Sequence, residues 1–309
     1  MPSFETFVVA VSVLIDTFVT TQLPAEPRRR GRQPKLTRGE AMTLALVGQH
    51  QRFSSERDFY RYASIHLRPL FPTLPSRPQF NRTLRRHYPA LVVFGQWCAT
   101  RLDSATAPLE VLDTTAVPLR DLRRRGEGWL PEVCAIGKSV RLGWFEGVRL
   151  LLAITGEGVI TGFALGLGNA KDQTLAEGFL AARAHPDPLL PTVGATSAGF
   201  YLADKGFGGV AGTQHWREDY GAVVATPPQT NAARTWPRSL HRAHQRHRQP
   251  IETLIARLLH TFRLLRERPH TASGLLTRVA AKVAVSNFLI WWNRQTGHRD
   301  LETAAVIGF

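Results

Sequence analysis

Apolar residues in the first hundred positions recur at helical spacing, and the pattern changes to alternation at about Ala107. Thr37-Arg38-Gly39-Glu40 is a capping box, a hydroxyl followed three residues on by a glutamate, and it opens an apolar run through Met42, Leu44, Leu46 and Val47. Ser55-Glu56-Arg57-Asp58 starts a second helix bearing Phe59, Tyr60, Ala63 and Leu67. A Pro-rich connector follows from Pro69 to Pro78; Ser76 is placed to cap a third helix, and a fourth runs from about Pro89 to Leu102. Beyond Ala107 the chain predicts a short strand through Leu109 and Val111 that ends on Asp113. Val148–Ile154 and Val159–Leu165 then flank Thr155-Gly156-Glu157-Gly158 as a hairpin. A helix at 172–184, a strand at 199–203, another helix, a short strand at 222–225 and two long helices, 250–267 and 274–292, complete the order.

That order predicts an α/β fold, a mixed sheet flanked by helices, in residues 105–309. A helical, helix-turn-helix-like domain is predicted in residues 1–104. The third helix of the first domain carries Arg77, Gln79, Asn81, Arg82, Arg85 and Arg86, the side-chain types that contact phosphates and base edges.

Charge narrows the partner. Lys and Arg number 39 against 24 Asp and Glu, a net +15 and a pI near 11.0, which favours a polyanion because each neutralised phosphate releases a condensed counterion. The apolar run 7–15 is about half a bilayer span, follows Glu5 and precedes Asp16, so neither a membrane segment nor a signal peptide is predicted. Cys98 and Cys134 are far apart and form no CxxC pair. These features predict a cytoplasmic DNA-binding protein.

Three acids stand at positions where chemistry is done. Asp113 ends the first predicted strand and Asp204 follows the fourth; if those strands are neighbours, both carboxylates meet at one sheet edge. Two such groups repel unless they share a proton or hold a divalent cation, and oxygen ligands favour Mg²⁺ or Mn²⁺. Glu252 falls on the border of a buried helical face formed by Ile251, Leu254, Ile255, Leu258 and Leu259. Periodicity alone favours an ion pair with Arg248, one turn earlier, over a metal site. Asp172 is either a fourth acid near the site or a helix-start acid stabilised by the macrodipole, and the helix start is preferred. His241, His244 and His247, interleaved with Arg242, Arg246 and Arg248, read as a basic DNA-facing loop rather than a metal site. Arg123-Arg124-Arg125 suits either phosphate contact or a solvated loop.

The segment 111–118, with Asp113, resembles the first-aspartate segment of insertion-sequence transposases of the IS4/IS5 and IS982 groups. Asp204-Lys205-Gly206-Phe207 resembles their second-aspartate motif, and Arg248-Gln249-Pro250-Ile251-Glu252 their Arg-x-x-Ile-Glu helix. The segment 165–172 is similar to their Pro-Gly-Asn turn, without the proline. Trp144-Phe145-Glu146-Gly147-Val148-Arg149 is similar to a Trp-x-Tyr-Gly-x-Lys strand found in the IS982 group. A Tyr and an accessory Lys that some relatives carry are here Gln245 and Leu259.

The resemblance implies an RNase H-like core in which Asp113, Asp204 and Glu252 hold two Mg²⁺ or Mn²⁺ ions, with Asp113 bridging. It also implies a homodimer or larger assembly that binds terminal inverted repeats and target DNA, with Lys205 and Arg248 beside the DNA. A DNA-binding regulator without catalysis and a nuclease of the same fold are the alternatives.

Overall fold

The computed structural model describes residues 3–26, 31, 33–50, 53, 55–121, 130, 133–186, 199–228 and 235–302. The chain forms two compact units, residues 1–98 with 273–309, and residues 99–272.

The first unit contains α1 (Phe4–Gln22), α2 (Arg38–His50), α3 (Glu56–His66), α4 (Arg77–Arg86), most of α5 (Tyr88–Thr100) and the C-terminal helix Ala272–Thr296. The capping box closes reciprocally: the Thr37 N–H donates to Glu40 Oε2 at 2.7 Å and the Glu40 N–H to Thr37 Oγ1 at 3.2 Å. Ser55 caps α3 through the Asp58 N–H at 3.2 Å, whereas Ser76 at the head of α4 bonds the Gln79 side chain instead. Gly95 lets α5 approach the C-terminal helix, since a Cβ there would lie 3.4 Å from the Ala284 Cα. Asn287 donates to the Gly95 carbonyl across the same contact at 2.9 Å. By length and composition alone, Phe4–Gln22 and Ala272–Thr296 pass for membrane spans; the second is 83% buried within the protein, as the central helix of a core is.

The second unit is built on a six-stranded sheet of β1 (Glu110–Arg120), β2 (Ala135–Ser139), β3 (Gly143–Thr155), β4 (Ile160–Leu167), β5 (Phe200–Leu202) and β6 (Val223–Ala225). The strand order is β2-β3-β1-β5-β6, with β4 pairing the second half of β3. β1, β2, β3 and β4 pair antiparallel, while β1 with β5 and β5 with β6 are parallel. This is the mixed α/β sheet expected of an RNase H-like core. Residues 148–154 of β3 are almost continuously apolar because the strand lies inside the sheet with both faces covered.

Helices α6 (Asp172–Ala184), α7 (Val210–Tyr220) and α8 (Arg238–Ala256) flank the sheet. Leu175, Ala176, Phe179 and Leu180 of α6 and Trp216 of α7 pack on Leu112, Leu151, Ala153 and Tyr201 as one core. α8 continues into a π-helical turn, Arg257–Thr261.

Several expectations are corrected. β1 does not end at Asp113 but runs on to Arg120, because β3 pairs with it along almost its whole length. The β2 strand has no alternation strong enough to announce it, and its pairing with residues 143–147 makes it a strand. The predicted basic loop at 241–248 is the first half of α8, which accommodates Pro250 inside it.

Gly147 is demanded by this sheet. A Cβ there would lie 2.1 Å from the Val117 carbonyl oxygen and 2.9 Å from the Leu119 nitrogen, both backbone atoms. Gly147→Ala is expected to lower stability by about 2–3 kcal/mol, read as a lower urea midpoint at unchanged slope; a midpoint equal to wild type would contradict the close approach.

Candidate active site

The register of the parallel pair builds the site. Glu110 stands beside Tyr201 and Val111 beside Leu202, so Asp113 and Asp204, each two residues further on, come level. β5 stops at Leu202, and β1 continues with an open edge. A cavity of ≈ 440 Å³ occupies that gap, and Asp113, Asp172, Asp204 and Glu252 all line it. Lys138, Arg141 and Arg149 line the same cavity, Arg149 beside Asp172.

Asp113 is held from two sides. Its Oδ1 accepts the Thr114 N–H at 2.8 Å, and its Oδ2 accepts Arg248 Nη2 at 3.0 Å, with only 16% of the side chain exposed. Burial pushes its carboxyl up to about 6; the Arg248 guanidinium and the Thr114 N–H pull it down, and the negative Asp204 pushes it further up. Asp204 follows β5 and caps the short 3₁₀ turn Lys205–Phe207, accepting the Gly206 N–H at 2.7 Å. Lys205 is exposed beside it.

Arg248 therefore pairs with Asp113 and not with Glu252, which overturns the ion pair that periodicity favoured. Glu252 is exposed and faces the cavity. The competing partner lies 135 residues away in sequence and came near only through the docking of α8 on β1. His244 anchors that docking. Buried in α8, it donates from Nε2 to the Ala203 carbonyl at 3.0 Å, just before Asp204, and burial holds it below the ordinary histidine range.

Asp172 is the residue whose place was misread. Lys171 is the cap of α6, and the Asp172 carboxylate turns inward, its Oδ1 accepting the Thr114 hydroxyl at 2.5 Å and Arg149 Nη1 at 3.5 Å. A Cβ on Gly206 would meet Asp172 Oδ2 at 2.8 Å and Asp204 Oδ1 at 2.9 Å, so glycine leaves open the space between two carboxylates. The Asn-Ala-Lys-Asp sequence after β4 was the available signal, since an acid beginning a helix beside a sheet edge can face the edge instead of its own helix end.

The remaining predicted residues lie elsewhere. Arg77, Gln79, Arg82 and Arg86 are exposed on α4, and Asn81 and Arg85 are half-buried. Arg85 lies 4.0 Å from Glu56, and Arg86 lies 3.9 Å from Glu26. Arg123, Arg124 and Arg125 fall outside the described residues.

The donor set at the cavity is oxygen only, which fits a hard divalent cation such as Mg²⁺ or Mn²⁺ and not zinc. The glycine gap between Asp172 and Asp204 and the strained ionisation of Asp113 fit the same charge. Among the described residues no three acids or histidines stand close enough together to grip one ion in this conformation.

Residues 111–288, more than half of the chain, match the family model described as the transposase DDE domain. No curated protein matches the chain. The matched span opens on the strand that carries Asp113 and takes in Asp204 and Glu252, so sheet, acidic cavity and family match coincide: this chain belongs to the DDE transposase family.

Proposed function

We propose that the protein is a DNA transposase that binds the ends of a mobile element and catalyses divalent-metal-dependent phosphodiester cleavage and strand transfer. Asp113, Asp204 and Glu252 are its metal-holding acids. The observation that carries this reading is their placement around one cavity at the open edge of β1, in a chain of net charge +15 that belongs to the DDE family. Within the insertion-sequence transposases, the Trp144 to Arg149 strand favours the IS982 group.

Two bound Mg²⁺ or Mn²⁺ ions would activate the attacking hydroxyl and stabilise the departing 3′ oxygen of an in-line displacement. The chain supplies the setting. Thr114 and Arg248 fix both oxygens of Asp113, and His244 pins the backbone that presents Asp204. Lys138, Arg141 and Arg149, which line the same cavity, supply positive charge suited to a phosphate. Arg149 is oriented by Asp172 and by the Lys138 carbonyl, to which it donates at 3.0 Å. In the first unit, α4 with Arg77, Gln79, Asn81, Arg82, Arg85 and Arg86 is the proposed end-binding helix. Lys205, Arg248 and Arg123–Arg125 are the proposed contacts near the reacting strand. Joining two ends requires at least a homodimer in action, and the proposed location is the cytoplasm.

Asp204→Asn and Glu252→Gln test the assignment on a plasmid bearing the gene with its natural flanks. Each is expected to lose cleavage in Mg²⁺ by at least about a hundredfold, because a lost ligand removes several kcal/mol of transition-state charge stabilisation. DNA affinity in EDTA should move less than about twofold, since neither acid contacts the duplex alone. Wild-type rates in either variant would remove that acid from the site. Binding without cleavage by the wild-type protein would favour the regulator.

A further inference from the structure

Asp172 carries a charge that its own helix does not use. It is the first residue of α6, where a carboxylate ordinarily serves the unpaired N–H groups of the first turn. Here one oxygen, Oδ1, accepts the Thr114 hydroxyl at 2.5 Å and, more loosely, Arg149 Nη1 at 3.5 Å. Arg149 lies nearer the Lys138 carbonyl, at 3.0 Å, so its charge is only partly spent on Asp172. The other oxygen, Oδ2, accepts no hydrogen bond among the described residues.

Oδ2 faces a space that it shares with Asp204. The point a Cβ would occupy on Gly206 is 2.8 Å from Asp172 Oδ2 and 2.9 Å from Asp204 Oδ1. Asp204 Oδ1 is fixed there by the Gly206 N–H at 2.7 Å. Two negative oxygens aimed at one gap repel each other, and the repulsion becomes attraction when a cation enters between them. Thr114 ties this pair to the first acid. Its N–H donates to Asp113 Oδ1 at 2.8 Å while its hydroxyl holds Asp172, so one residue sets the positions of two carboxylates from different elements. Leu175, Ala176 and Phe179 pack the beginning of α6 on the sheet core, so Asp172 is carried by a fixed element and not by a loop.

From these observations we infer that Asp172 is a fourth acid of the site, whose Oδ2 acts with Asp204 on the divalent cation while Thr114 and Arg149 hold its Oδ1. The inference rests on the proposal that the cavity binds metal, and it adds a residue outside the triad of Asp113, Asp204 and Glu252. A ligating carboxylate is ordinarily hydrogen-bonded by neighbours that fix its orientation, and Asp172 is prepared in that way on one oxygen only. The glycine at 206 belongs to the same arrangement, since any side chain there would fill the space the two carboxylates share.

The test titrates Mn²⁺ into the full-length protein without DNA and reads bound ion from the loss of the free-ion electron paramagnetic resonance signal. Asp172→Asn keeps an oxygen for Thr114 and Arg149 and puts an amide nitrogen, which donates and does not ligate, on the side of the gap. Its Mn²⁺ affinity is expected to fall at least about tenfold. Gly206→Ala leaves every charge in place and fills the gap, so it is expected to weaken Mn²⁺ as well, with an unchanged far-ultraviolet circular dichroism spectrum. Cleavage by Asp172→Asn should fall at low Mn²⁺ and recover as Mn²⁺ is raised, because mass action offsets a weakened site. Asp204→Asn separates this inference from the reading it rests on. If that variant loses Mn²⁺ while Asp172→Asn binds within about twofold of wild type, Asp172 is a structural acid, and the inference falls while the proposed site stands. Should Asp172→Asn fail to fold, Gly206→Ala decides, and wild-type affinity there overturns the inference. Wild-type protein that takes up no Mn²⁺, or Asp204→Asn that binds it as wild type does, overturns the proposed site and the inference with it.

Discussion

Asp113→Asn is expected to give a protein that no longer cleaves DNA yet melts higher than wild type. The higher melting temperature follows from one fact, that the carboxylate is charged where it is poorly solvated. Its side chain is 16% exposed, and burial outweighs the help of Arg248 and Thr114, so its pKa stands at about 6 against 3.8 for an ordinary aspartate. A raised pKa means that the folded state binds the proton more tightly than the unfolded state. The favourable contribution is then fully present below pH 3.8 and is lost as pH rises through about 6. At pH 7.5 the charged form costs on the order of 2 kcal/mol, allowing for residual solvation, and an isosteric amide removes that cost. A rise of a few degrees in melting temperature is expected, shrinking toward zero as the buffer is taken down to pH 4. Millimolar Mg²⁺ or Mn²⁺ should raise the melting temperature of wild type and not of the variant. Cleavage should fall by at least about a thousandfold, because the proposed bridging metal ligand is gone. A variant that melts lower than wild type at every pH would show that Asp113 is a structural partner of Arg248 and nothing more.

The largest loss of stability is expected at Arg183→Met. Arg183 of α6 and Glu110 of β1 are ion-paired with side-chain exposures of 1% and 0%. Arg183 also donates to the Tyr201 hydroxyl at 3.0 Å and to Thr161 Oγ1 at 2.8 Å, and its guanidinium lies 4.5 Å from the Phe179 ring centre. Removing the cation leaves the Glu110 charge buried without compensation, and Glu110 Oε1 already lacks a hydrogen bond. Breaking such a pair costs roughly 3–5 kcal/mol. Arg183→Met/Glu110→Leu should recover most of that loss, since replacing both partners removes the desolvation penalty as well. Urea unfolding at pH 7 reads both; a double variant no more stable than the single would show that packing, not charge, holds this site. The pair ties α6 to β1 three residues before Asp113, so it also fixes the strand that carries the site.

How much of this was legible in the chain follows from the range of each interaction. The helices at 38–50 and 56–66 were readable because their caps are local: hydroxyl and carboxylate lie three residues apart and need nothing from the rest of the protein. The hairpin of β3 and β4, the mixed α/β class and the candidates Asp113 and Asp204 were readable for a related reason, since alternation, glycine turns and acids beside strand signals are properties of short windows; Glu252 came from the family resemblance instead. β2 was not, because its strand character is lent by β3.

The pairing of the charges was decided by tertiary structure alone. Sequence spacing offers Arg248 only Glu252, one turn away, but packing α8 on β1 brings Asp113 within 3.0 Å, and a half-buried carboxylate gains more from a cation than an exposed one does. Asp172 was given to its own helix because the macrodipole is local; the Thr114 hydroxyl, 58 residues away, won it because β1 and the start of α6 meet at the sheet edge. The basic segment 241–248 reads as a loop from its interleaved histidines and arginines. Only the burial of one side, with His244 on the Ala203 carbonyl, makes it a helix and turns scattered arginines into a stripe. The sequence by itself determined the fold class, the residue chemistry and the family resemblance, each of which is written in neighbouring residues. Which carboxylates face one cavity, and which cations pair with them, was decided by contacts between residues far apart in the chain, whose energies no local window contains.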